Sequence, residues 1–179
     1  MSVVSSPSPD TAPLPNFYWF SISAAQKKIY MMYPYLIPHR HIMDAIIERA
    51  RAGVIVKILL PSKHTDARVI AWASAAYYET LLKAGVEIYE YQPTLLHTKV
   101  IIIDDVWSVI GSANMDTRSK ESNEENIFGI LDASLGTRLD QVFFSDLAHT
   151  KKVMFKEWRH RHLLVRLLGQ LLLIFIKQY

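Results

Sequence analysis

Six residues in the run LHTKVIIIDDVWSVIGSANMD fall in one ordered spacing, His-x-Lys-x4-Asp-x6-Gly-Ser-x-Asn: His97, Lys99, Asp104, Gly111, Ser112 and Asn114. The residue types suit a phosphodiester. Its negative charge repels incoming nucleophiles, and its transition state spreads further charge over the equatorial oxygens. Lys99 can neutralise that charge, while Ser112 and Asn114 can donate hydrogen bonds to the same oxygens. A neutral imidazole at His97 can attack phosphorus and divide one hard displacement into two easier ones. Imidazoles ordinarily titrate near neutrality, which makes such chemistry feasible without a metal. Taken singly, a histidine, a snorkelling lysine and turn residues are ordinary furniture of a β-hairpin. The ordered set is what points to a site.

Pattern supplies the scaffold. Residues 100–103 are an apolar β-branched strand, Asp104-Asp105 is a turn, and residues 106–110 are a second apolar strand. Alternate side chains of a strand share a face, so His97 and Lys99 point the same way, and the returning strand carries Ser112 and Asn114 back beside them.

At these residues the chain resembles the phospholipase D superfamily, whose signature is this His-Lys-Asp motif, and within it the bacterial cardiolipin synthase branch. GSANMDTRS (111–119) is similar to that branch's segment after the motif. ASAAYYETLLKAGVEIYEY before it, FSDLAHTKKVMFKEWRHR after it and YPYLIP (33–38) are similar as well, so the resemblance runs from about Val3 to about Phe175. It implies that His97 is the nucleophile or its general-acid counterpart and that Lys99, Ser112 and Asn114 hold the phosphate. Asp104 matches the motif aspartate, which in the family shapes the turn more than it touches substrate. Glu125 stands where the family places a carboxylate that bonds the far nitrogen of the histidine, with Glu124 adjacent; the NEEN stretch departs from the apolar residue usually found there. The implied fold is an α/β, phospholipase D-like layered sheet with helices on both faces.

The superfamily site needs two such motifs face to face, one histidine attacking and the other protonating the leaving group. This chain has one. His39, His41, His64, His149, His160 and His162 lack the following Lys, Asp and Gly-Ser. The partner is therefore expected to be a missing N-terminal domain of a longer enzyme or a second copy across a two-fold axis. Three functional classes follow: a phosphatidyltransferase acting on phosphatidylglycerol or a related phospholipid, a single-motif phosphodiesterase or endonuclease working as a homodimer, and an inactive half. Lys and Arg do not cluster around the motif beyond Arg118 and Lys120, which weighs against nucleic acid as partner.

The 179 residues suffice for one domain with a real core, expected over 16–179 behind a loosely ordered Ser- and Pro-rich lead-in at 1–15. Charged residues at 21% and hydrophobic ones at 50% are globular values, and a net charge of +3 favours anionic partners only mildly. Absence of cysteine excludes disulfides and thiolate metal sites. His39-x-His41 has no paired carboxylates beside it, so no metal or cofactor is expected.

Around the hairpin, strands are expected at 28–33, 54–60, 86–91 and 126–131, and helices at 41–52, 67–84 and 134–148, with Gly53 and Gly85 as stops. This alternation is that of a layered α/β fold. The apolar run 163–176 has 14 residues and includes Arg166 and Gln170, short of the roughly 20 apolar residues a span requires. With the basic KKVMFKEWRHRH before it, it suits either a headgroup interface or packing on the domain. The expected location is the periphery of a bacterial cytoplasmic membrane.

Overall fold

The computed structural model describes residues 2–5, 13–62, 64–65, 67–116, 125–160, 169 and 171–173. Its main sheet has eight strands: β1 (Ser2–Ser5), β2 (Lys28–Met32), β4 (Ile55–Pro61), β5 (Glu87–Tyr91), β6 (Val100–Ile103), β7 (Trp107–Gly111), β9 (Glu125–Leu131) and β10 (Thr150–Lys152). Their spatial order is β1-β9-β7-β6-β2-β4-β5-β10. β2, β4 and β5 run parallel and every other pairing is antiparallel. Two short strands, β3 (Leu36–Ile37) and β8 (Met115–Asp116), pair separately and tie the segment after β2 to the segment after the motif.

The central strands are buried on both faces, and their alternation sorts side chains into two cores. Ile29, Met31, Ile101 and Ile103 face one side with Val56, Ile58 and Ile88, under α1 (Pro13–Ser23), α2 (Arg40–Arg51) and α4 (Tyr78–Lys83). Tyr30, Met32, Val100 and Ile102 face the other with Leu59, under α5 (Ala133–Leu147), whose Phe143 stacks on Tyr30 at 4.7 Å. The layered α/β sheet with helices on both faces is the expected one.

Several boundaries depart from expectation. Part of the lead-in expected to be loose is a strand: β1 pairs with β9, with Ser2 opposite Phe128. Residues 13–23 form α1, although Phe17, Tyr18, Trp19 and Phe20 leave no polar face to read as a helical stripe. The helix expected at 67–84 is instead α3 (Arg68–Ser74), a 3₁₀ turn at Ala75–Tyr77, and α4. Its Ala-Ser-Ala-Ala run favours helix on propensity alone. The break serves packing, because the Ser74 hydroxyl accepts from the Leu36 N–H (3.0 Å) while Tyr78 turns into the core against Trp158. β10 was not expected either; Lys57 (2.8 Å) and Lys152 converge on Glu87 and hold that edge together. Gly53 and Gly85 follow α2 and α4 at φ of 92° and 93°, where a side chain would be strained.

Of the C-terminal apolar run, residues 169 and 171–173 are described and helical, and Leu173 packs with Ile37 and Ala73. The rest of that run lies outside the described residues, as does Glu124. No helix among the described residues is long and apolar enough to cross a membrane.

Candidate active site

The β6–β7 hairpin makes the site by having one open end. Val100 pairs with Ile110 and Ile103 with Trp107, so residues just before β6 and just after β7 emerge side by side. The Gly111 N–H donates to the Lys99 carbonyl (3.3 Å), the last rung of that ladder. A Cβ on Gly111 would lie 2.2 Å from the Asn126 carbonyl oxygen, so only glycine lets β7 approach β9 here. Ser112 is then clamped to β9: its N–H donates to the Asn126 carbonyl (2.9 Å) and the Asn126 N–H donates to its hydroxyl oxygen (3.1 Å).

On this frame His97 is exposed and Lys99 is buried, 8% exposed. The Lys99 ammonium lies 3.2 Å from Nδ1 and 3.4 Å from Nε2 of His97, and donates to the His97 carbonyl (3.0 Å). Asn114 Oδ1 is buried with no hydrogen-bond partner among the described residues. A half-turn about χ2 would exchange it with the carboxamide NH₂. Such an orphan costs stability unless something arrives to satisfy it.

Glu125 is buried (9% exposed) and accepts a hydrogen bond from the Ser112 hydroxyl. The bond expected to the far nitrogen of His97 is therefore replaced, in this structure, by one to serine. The carboxylate is still close behind the motif residues.

Asp104 does not join the others. It sits at the closed end of the hairpin, beyond the whole of β6 from Lys99, where rise alone separates the two by roughly 17 Å. At the closed end its carboxylate accepts from three consecutive backbone N–H groups: Gln26 (2.7 Å), Lys27 (2.8 Å) and Lys28 (2.8 Å). Burial would raise its pKa, but those three bonds prevail and hold it below the usual carboxylate range. Asp104 and Asp105 both take positive φ, 52° and 64°, as a two-aspartate type I′ turn requires. Its role here is to lock the hairpin to the chain entering β2.

Two tyrosines under the site were not read from sequence. Tyr18 on α1 donates to the carbonyl of Ala113 (3.3 Å), the residue between Ser112 and Asn114. It meets Tyr33 edge-on at 6.4 Å, and both are buried. Burial pushes the Tyr18 hydroxyl up to about 12; the bond with Tyr33 opposes the rise and the charge of Glu125 adds to it. Tyr18 therefore remains a donor across the working pH range. No spacing rule links residue 18 to residue 113. Among the described residues no group of three or more His, Cys, Asp or Glu is placed to hold a metal ion.

Residues 20–147 match the family described as "Cardiolipin synthase, PLD-like domain". The chain belongs to that family. It is 39% identical over 147 residues to a cardiolipin synthase of Halalkalibacterium halodurans, covering 82% of this chain and 29% of that one. It is 35% identical over 166 residues to a cardiolipin synthase of Clostridium perfringens, covering 92% and 34%. The chain thus spans about a third of the length of the curated cardiolipin synthases it matches. In fold, it resembles the phospholipase D family member Nuc from Salmonella typhimurium (TM-score 0.70, 23% identity, 86% of this chain and 97% of that one). It also resembles the phosphatidylserine synthase of Haemophilus influenzae (TM-score 0.71, 16% identity, 99% and 45%). The PLD-like domain here is a single α/β unit.

Proposed function

We propose that this PLD-like domain supplies one wall of a phosphatidyltransferase site of cardiolipin synthase type, with His97 forming a phosphohistidine. The observation that carries this is the buried Lys99 ammonium held against the exposed ring of His97, with Ser112 and the unpartnered Asn114 carboxamide on the same hairpin end. Lys99 and Asn114 bind the phosphate, and Ser112, held by Glu125, lines it. An imidazole nitrogen of His97 attacks phosphorus of phosphatidylglycerol and breaks the P–O bond to the terminal glycerol, which leaves with a proton from an opposing acid. A hydroxyl of a second phosphatidylglycerol then gives its proton to that now basic group and attacks phosphorus. The N–P bond breaks, His97 is restored, and cardiolipin and glycerol are the products. Water in place of the acceptor gives hydrolysis.

The opposing acid is a second His-Lys-Asp motif. The length of the relatives favours an N-terminal domain of the same enzyme as its source, acting at the cytoplasmic membrane surface. The fold likeness to Nuc, nearly all of whose chain is covered, favours a second reading in which two copies of this chain make one phosphodiesterase site. No metal or cofactor is required by either.

Light scattering of the purified chain, paired with turnover of phosphatidylglycerol vesicles and of single-stranded DNA, separates them. Lipid turnover by a dimer, or on adding the N-terminal half of a relative, supports the proposal. An active monomer contradicts the need for a second motif, and DNA cleavage without lipid turnover replaces the lipid reading with the phosphodiesterase one.

A further inference from the structure

Exposed apolar side chains occur at both ends of the sheet, and the two groups differ in charge and in distance from His97. At the closed end of the hairpin, Phe20, Val106 and Leu131 are exposed, and Asp104, Asp105 and Asp132 stand beside them. At the opposite end β6 runs against β2 so that Val100 lies opposite Met32, and β2, β4 and β5 are parallel. The approach that carries His97 therefore shares an edge with the C-terminal ends of those strands. On this edge Val69, Trp72, Leu95 and Leu171 are between 40% and 64% exposed.

Three segments bring them around the site. Leu95 stands two residues before His97, at most about 7 Å of chain. Between them Leu96 is buried in the core with Met32, Leu59 and Phe143, so the segment is pinned with Leu95 outside. α3, the first helix after the end of β4, carries Val69 and Trp72. Its Ser74 hydroxyl accepts from the Leu36 N–H, and Leu36 pairs with Met115, the residue after Asn114. The C-terminal helical residues lie along α3: Leu173 packs with Ala73 and Ile37, and a Cβ on Gly169 would lie 3.4 Å from the Trp72 carbonyl oxygen. Leu171 is left facing out. Between β4 and Trp72 the chain carries Lys63, His64 and Arg68 against Asp66, and His64 and Arg68 are exposed.

A phosphatidyl group keeps its acyl chains in the bilayer, so its phosphorus is reached only by an edge that sits at headgroup depth. Tryptophan suits that depth, having an apolar ring and a polar N–H, and Leu and Val suit the acyl boundary just below it. A basic rim is drawn to anionic headgroups. The closed end would offer them aspartates and leave His97 a full strand away. We propose that Val69 and Trp72 of α3, Leu95 and Leu171 form the surface on which an anionic bilayer seats, presenting lipid phosphate to His97 at this edge. The choice of a lipid surface rests on the phosphatidyltransferase reading; the binding test does not.

Binding is read on the purified chain without turnover, by flotation with vesicles of phosphatidylglycerol or of phosphatidylcholine. Quenching of tryptophan emission by lipids brominated on their acyl chains is read alongside. The chain should float with phosphatidylglycerol vesicles, and quenching should vanish in Trp72→Phe. Trp72→Ser and Leu171→Ser should each lower partition about tenfold, the size of one large apolar side chain withdrawn from water. Arg68→Gln should lower it about fivefold on phosphatidylglycerol and leave phosphatidylcholine unaffected. Phe20→Ser, at the closed end, should change nothing. Quenching of the parent chain decides the matter even where a variant fails to fold. No flotation, quenching that survives Trp72→Phe, or loss in Phe20→Ser in place of Trp72→Ser would overturn the surface. So would full flotation of Trp72→Ser combined with loss of its pairing to the N-terminal half of a relative, which would give this face to a protein. In an active assembly, Trp72→Ser should raise the apparent KM for vesicle lipid about tenfold. Its kcat, and its label on His97 from dispersed short-chain phosphatidylglycerol, should match the parent's. Flotation through this surface with no lipid turnover by any assembly would sink the phosphatidyltransferase reading and keep the surface; lipid turnover with vesicle binding unaltered in the variants would do the reverse.

Discussion

The two ends of one hairpin differ in how they treat charge. At the closed end, opposite charges and donors meet. Asp104 takes three backbone N–H bonds, and Lys28 joins Asp105 and Asp140. Burial lowers the Lys28 pKa, but its two carboxylates more than reverse this and raise it above the ordinary lysine value. At the open end a buried ammonium faces an imidazole, and a carboxamide oxygen has no partner among the described residues. The first end is saturated with partners; under the proposed function, the second is completed by a ligand. Proteins tolerate local dissatisfaction of this kind where binding or chemistry repays it.

Substitutions can set the two ends against each other. The largest effect is expected for His97→Ala: turnover should fall by about a thousandfold or more, the scale for losing a nucleophile. Its melting curve should match the parent's, since the ring is exposed. Unfolding at the parent's midpoint with activity retained would erase the distinction between the ends.

Lys99→Met and Lys28→Met sharpen it further. Loss of Lys99 should cost about a hundredfold or more in turnover. Stability should change by no more than about 1 kcal/mol, because the cost of burying the cation is removed together with its bonds to His97. Loss of Lys28 strands Asp140 and should cost about 1–3 kcal/mol in denaturant unfolding. Its effect on KM should be small. Opposite results in the two variants would mean that the assignments of the ends are reversed.

Asp104→Asn probes the closed end through pH. The folded-state pKa of Asp104 lies below its ordinary 3.8, so its stabilisation is fully present above that value and is lost as pH falls toward the folded pKa. The variant should be less stable at neutral pH by about 1–2 kcal/mol and should lose less than the parent on acidification below pH 4. Parallel stability curves would remove the three N–H bonds from the account. Tyr18→Phe should be the mildest. Losing its bond to Ala113 should cost about 1 kcal/mol and turnover a few-fold, with KM for lipid nearly unchanged. A change in KM alone would place Tyr18 outside the positioning of the Ser112–Asn114 segment.

The hairpin was legible because two β-branched runs flank a pair of aspartates, and strand alternation then groups His97 with Lys99. The same signals located most central elements and both glycine stops. What escaped was set by distant contacts. The partners of Asp104 lie at residues 26–28, and Tyr18 reaches Ala113 across 95 positions. The 3₁₀ break at Ala75–Tyr77 answers to Leu36 and Trp158 rather than to its own alanines. The resemblance implied a bond from Glu125 to His97; the bond to Ser112 found instead depends on how β9 meets the end of β7.

The central claim is that His97 is the nucleophile at the open end. Brief exposure of an active assembly to phosphatidylglycerol labelled in its phosphate, an alkaline quench and peptide mapping test it most directly. The expected result is acid-labile, base-stable label on the peptide bearing His97, absent in His97→Ala and sharply reduced in Lys99→Met. Label on any other residue, or full turnover with none trapped on His97 under slow-turnover conditions, would contradict it.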